Sequence, residues 1–218
     1  MPRYRHRVAR TAERTGTLLA AAIVPAVALA IAGAFHPHDL GPATARRWTD
    51  VHLVALPLFG LLGLAPWLLL RRRHRVAGLV GAVLAWLHAA FYTGLDVLAG
   101  IAAGTLQEHS GGAGVGDVFG RGDQLARVGT TAYLLVTVLA AASVLLPGAA
   151  GDRRVPGDRR VAWLGAVVVA VAAVSYLSSH IWWPRGGLTM LALGLGWALL
   201  VASTAPSRRG ARDGRVTR

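Results

Sequence analysis

Uncharged, apolar runs of about 20 residues alternate with clusters of arginine along this chain, and no feature constrains its fold more. As a helix, each run reaches about 30 Å, the thickness of a bilayer's hydrocarbon core. Six runs are read, at 17–35, 51–70, 76–99, 125–146, 161–179 and 187–204. In lipid every backbone polar group needs an internal partner, which a helix supplies segment by segment. The expected fold is therefore all-α, a polytopic transmembrane bundle of six helices. A basic tail of residues 1–16 precedes the membrane domain of 17–204, and a second basic tail, 205–218, follows it.

The arginines give the orientation. Arg3, Arg5, Arg7, Arg10 and Arg14 lie before the first run; Arg71, Arg72, Arg73 and Arg75 between the second and third. Arg153, Arg154, Arg159 and Arg160 lie between the fourth and fifth, and Arg208, Arg209, Arg212, Arg215 and Arg218 after the sixth. Only Arg46, Arg47, Arg121 and Arg185 in the other connections, and Arg127 at the start of the fourth run, remain of the 23. This alternation predicts both termini in the cytoplasm, because basic loops stay inside. It also accounts for the net charge of +13 without nucleic acid, which would want its arginines on one soluble face. The first run, of about 18 apolar residues, is longer than a cleaved signal core and reads as a retained helix.

Composition removes several chemistries. The chain has no cysteine, so disulfides, thiolate metal sites and iron–sulfur clusters are excluded. It also has no lysine, which excludes a Schiff base. The glycine-rich stretch "SGGAGVGDVFGRGD" follows no strand and is expected to be an outer loop rather than a nucleotide site. Pro25, Pro57 and Pro66 fall within runs and are expected to kink them.

What remains for chemistry is histidine and carboxylate. His36 ends the first run, His52 opens the second, Asp96 lies near the outer end of the third, and His180 ends the fifth. Counting about 1.5 Å per residue puts all four at one depth beneath the outer surface. Imidazole and carboxylate are the ligands that zinc, copper or iron would take here, so His36, His52, Asp96 and His180 are the candidate metal ligands. His38 and Asp39 are secondary candidates, and His109 with Glu108 is near enough in the outer loop to reach in. The competing reading is a polar boundary layer, with Asp50 capping a helix and Asp96 paired to Arg185. Trp182 and Trp183 suit an aromatic belt, and Arg185 beside them is a candidate anion or ion-pair site.

His88 falls near mid-membrane, where an ionisable group is a functional candidate. Tyr92 and Asp96 follow at intervals of four, so the three form a slanting polar track suited to proton or ion passage. The alternative for His88 is a core histidine bonded to Ser143, Thr137 or Ser175. A haem site is weaker: His52 and His180 share a depth, but His88 has no partner histidine.

At "FHPHDLGPATARRW", "FYTGLDVLAG" and "SHIWWPRGGLTML" the chain resembles a family of small, uncharacterised multi-pass membrane proteins of high-GC actinobacteria. The resemblance spans nearly the whole hydrophobic region. It implies a prokaryotic plasma membrane and carries no activity. The leading expectation is a membrane protein with an extracytoplasmic His/Asp metal site, enzymatic only if the metal activates water or exchanges electrons. The alternatives are a proton- or ion-coupled transporter or channel component, a haem protein, and an accessory subunit without chemistry. In each case the lipid bilayer is the partner, with a homo-oligomer or a second membrane subunit open.

Overall fold

The computed structural model describes residues 2–146 and 158–205, and the side chains of residue 13 and of residue 15 onward within them. Arg153, Arg154 and the arginines of 208–218 lie outside the described residues, as do the side chains of Arg3, Arg5, Arg7, Arg10 and Arg14. Eight α-helices and one π segment follow in order: α1 Pro2–Ala34, α2 Ala45–Leu62, α3 Leu64–Arg71, α4 Arg75–Leu95, the π segment Asp96–Ala102, α5 Ala103–Ser110, α6 Val115–Leu145, α7 Arg159–Tyr176 and α8 Arg185–Ser203. They make six stretches long and apolar enough to cross a membrane: Thr15–Ala34, Ala45–Arg71, Arg75–Ser110, Val115–Leu145, Arg159–Tyr176 and Arg185–Ser203. The chain is a six-span, all-α membrane protein.

Its surface is what lipid demands. Val24, Ile31, Val54, Leu79, Trp86, Val138, Val171 and Leu195 are all exposed on the outside of the bundle. Polar groups sit inside it instead: His36, His52, His88, Asp96, Thr130, Thr137 and Thr189 are buried. Apolar groups out and ionisable groups in is the distribution of a bundle solvated by hydrocarbon.

Neighbour contacts close a ring: α1 packs on α8, α8 on α7, α7 on α6, α6 on α4, α4 on α2 and α3, and α2 on α1. Small residues permit the closest crossings. A methyl group at Gly196 would meet the Val169 backbone nitrogen at 2.6 Å, and one at Gly165 the Leu200 nitrogen at 2.9 Å. With no hydrophobic force between helices in lipid, this close backbone packing is what holds α7 against α8.

The interruption expected at Pro66 is present: the second run breaks into α2 and α3 at Gly63, because Pro66 has no N–H to offer the Leu62 carbonyl. Two expectations are corrected. The third run does not end at residue 99; it continues through the π segment and α5 to Ser110, a stretch of 36 residues. Most of the glycine-rich outer loop is helical. Only the connection at 111–114 turns, with Gly111, Gly112 and Gly114 at positive φ, and α6 begins at Val115. Periodicity is weak there because Gly116, Gly120 and Gly122 leave no apolar stripe, yet all three lie within α6.

Candidate metal centre

Four elements meet at the end of the bundle opposite the Arg71–Arg75 turn. His36 follows α1 by two residues, and His180 follows α7 by four, so both histidines sit on connections rather than on helix ends. His52 projects from α2 and Asp96 opens the π segment. Each connection is tied down. Arg47 Nε donates to the Phe35 carbonyl (2.8 Å), holding the residues after α1 against α2. Trp183 Nε1 donates to the Ala30 carbonyl (2.8 Å), holding the α7–α8 turn against α1. Trp48 Nε1 donates to the Ala99 carbonyl (3.0 Å), pinning α2 to the π segment. Gly186 and Gly33 let the turn lie flat, since a methyl group at either would overlap the backbone at His180 or Ile181.

The three histidines present one chemistry. His36 Nδ1 faces the Pro37 carbonyl, His52 Nδ1 faces the Trp48 carbonyl at 2.7 Å, and His180 Nδ1 faces the Tyr92 hydroxyl at 3.1 Å. A carbonyl only accepts, so Nδ1–H on His36 and on His52 leaves each Nε2 its lone pair, and a metal-binding imidazole is held in this way; the Tyr92 hydroxyl orients His180 as donor or as acceptor. His36 Nε2 and His52 Nε2 lie 3.4 Å apart, and His180 Nε2 is buried without a hydrogen-bond partner among the described residues. One ring nitrogen from each histidine falls within 4.8 Å of the other two. Metal–nitrogen bonds of about 2.0–2.1 Å in a tetrahedron place neighbouring nitrogens about 3.3–3.4 Å apart. The His36–His52 pair already has that spacing, and His180, within 4.8 Å, must draw closer to share it.

Two lone pairs aimed at each other across 3.4 Å repel unless something positive lies between them. Protons do not fill that role well. Burial first, and the neighbouring His52 ring second, push His36 down to about 4. Burial with the His52 and His36 rings holds His180 well below the ordinary imidazole value. Both rings are neutral at pH 7 and competent to bind a cation.

Asp96 is fully buried 3.9 Å from His52 Nε2, and neither carboxylate oxygen has a hydrogen-bond partner among the described residues. It stands beside His52 and is not in the group of three mutually close nitrogens. An uncompensated buried carboxylate is costly unless a cation or donor meets it. The structure thus brings together the four residues singled out as ligands, as a buried cluster capable of holding a metal ion.

Other expectations fare differently. His38 and Asp39 are exposed, and Asp39 contributes only its backbone carbonyl, to Thr44 Oγ1 at 2.7 Å. Glu108 and His109 are exposed at the far end of α5. Arg185 does not pair with Asp96; its guanidinium donates to Ser178 Oγ at 2.7 Å. Asp50 caps nothing, since α2 begins at Ala45 and Asp50 is exposed within its second turn. His88 meets neither Ser143, Thr137 nor Ser175. Its Nδ1 and Nε2 face the Gly129 and Phe59 carbonyls, each at 3.2 Å. It stands against Tyr133, Tyr92 and Tyr176, at ring-centroid distances of 4.9, 5.6 and 5.9 Å. His52 and His180 lie ring on ring at 5.4 Å, which leaves no gap for a porphyrin between them.

Sequence reading missed the aromatic walls. Trp48 and Trp182 stand 4.6 and 5.2 Å from the His36 ring, so Trp182 roofs the site rather than merely marking a membrane boundary. Tryptophan next to arginine in "ARRW" gave no signal of this.

No protein-family model, curated protein or solved structure matches the chain. Function must be argued from the geometry.

Proposed function

We propose that this is a metal-binding protein of a prokaryotic plasma membrane, with both termini cytoplasmic and its metal centre at the extracytoplasmic face. His36, His52 and His180 each give one imidazole nitrogen to a divalent transition ion, of the class zinc, copper or iron. Asp96 supplies the compensating carboxylate and accepts a hydrogen bond from whatever occupies the fourth position. The carrying observation is the convergence of one ring nitrogen from each of the three histidines to within 4.8 Å, with Nδ1 of His36 and of His52 turned to a backbone carbonyl. The extracytoplasmic placement rests on the arginines of 71–75, at the opposite end of the same helices.

Metal analysis of protein purified without chelator is expected to give about one zinc, copper or iron per chain. Protein that stays metal-free, and takes up none on dialysis against micromolar metal, would end this reading. Orientation has its own test, made easy by the absence of cysteine. Asp39→Cys should react with an impermeant maleimide on intact cells, and His74→Cys only after lysis; the reverse pattern would move the site to the cytoplasm.

Tyr92 orients His180 and touches no other candidate ligand by hydrogen bond. Outer partners of metal-bound histidine are typically worth 10–100-fold in affinity. Tyr92→Phe should therefore weaken metal binding by roughly 10-fold, read by competition with a chromogenic chelator, while the protein still folds.

A further inference from the structure

Beside the three histidines lies a cavity of about 240 Å³ that reaches the surface at the exposed residues Asp123, Ser178 and Trp182. His52, His180 and Asp96 form part of its wall. Its remaining surface is largely aromatic and aliphatic, with Trp48, Phe119, Tyr176 and Leu177 prominent. Taking the metal reading as given, we infer that this cavity is a ligand chamber opening onto the metal's fourth position, built for a small, uncharged aromatic alcohol of the phenol class.

Four properties of the chamber lead there. Its volume lies below the roughly 300–1,000 Å³ of drug-sized sites, which suits a ligand of one ring. Aromatic walls favour a ring, which they meet edge-on or offset. Acidic side chains at both ends, Asp96 inside and Asp123 at the rim, and a lining without arginine give benzoates or phosphates no counter-charge from the protein. A cationic amine is disfavoured in turn by the metal's own charge. The neutral ligand that suits both ends is one whose oxygen can face the ion and whose hydroxyl has a destination for its hydrogen bond.

Asp96 provides that destination. Both of its oxygens are buried and without a partner among the described residues. A phenol in the chamber would set its oxygen toward the open position of the ion and donate its O–H in a hydrogen bond to an Asp96 oxygen. No bond breaks and no electron moves. A weakly polar ring of this kind also partitions into the membrane boundary, where the mouth of the chamber lies.

The test uses the full-length protein in detergent, loaded with cobalt(II), whose visible bands report its coordination. Titration with 4-methylphenol should shift those bands saturably, whereas benzoate should need at least 10-fold higher concentration for any change. Ala126→Phe, which fills the chamber from α6, should still bind cobalt with an unaltered starting spectrum but lose the response. Cobalt uptake itself reports folding, because its ligands come from three separate parts of the chain. Uptake without a phenol response, or with an equal benzoate response, would overturn the chamber and leave the metal centre standing. Failure to take up cobalt at all would overturn both.

Discussion

His52→Ala is expected to lower metal affinity by about three orders of magnitude, or about 4 kcal/mol of binding free energy. No other residue sits so centrally. Its Nε2 is 3.4 Å from His36 Nε2 and 3.9 Å from Asp96, and its ring stacks on His180. Removing it leaves two imidazoles, one of them on a connection that must still shift to close on the ion. The effect on the metal-free protein should be far smaller, because the same change relieves the lone-pair contact with His36. Function and stability pull apart at such a site. Thermal unfolding makes the distinction measurable. A metal at a hundredfold over its Kd should stabilise the wild type by about 2.7 kcal/mol and raise its Tm, while the variant gains nothing. His109→Ala, at the exposed end of α5, should behave as wild type. A His52→Ala protein that still binds tightly would show that the ion, if any, lies elsewhere.

The legibility of this molecule divides along a physical line. Lipid imposes its demand locally, so the six spans and their boundaries near Arg71, Arg75, Arg159 and Arg185 could be read from the chain alone. The depth of each histidine followed, since depth is only a count of residues along a helix. Azimuth around each helix is not such a count. That His52 faces inward depends on which neighbours α2 packs against, and that Asp96 meets His52 rather than Arg185 depends on the π segment. Its wider turn interrupts the helix at Asp96, and no residue in "DVLAGIA" announces it. The same limit hid Trp48, which the π segment's Ala99 carbonyl receives. His88 shows the converse. Its place within the third span was legible, but its partners are backbone carbonyls, which no side-chain pattern reveals.

Gly100→Ala is the second large effect, and it follows from that hidden geometry. Position 100 lies one turn past Asp96, with the π segment pressed directly on α2. A methyl group there would come within 2.7 Å of His52 Cβ and closer still to its ring. The ring has nowhere to retreat. Its Nδ1 is held by the Trp48 carbonyl, and His180 lies stacked on its other side. Overpacking a tight core typically costs about 1–3 kcal/mol, and relief here requires α2 and the π segment to separate. That separation would also carry Asp96 away from His52, so the variant should lose both thermal stability and metal. Gly116→Ala supplies the contrast. It lies in the first turn of α6 with nothing within 4 Å of the added methyl, and alanine is favoured over glycine in a helix by about 0.5–1 kcal/mol. Tm and metal content measured on the two variants should therefore move in opposite senses for stability, with only Gly100→Ala losing the ion. If Gly100→Ala kept both, α2 and the π segment would have to be farther apart than this packing places them, and His52 could no longer be the hinge of the site.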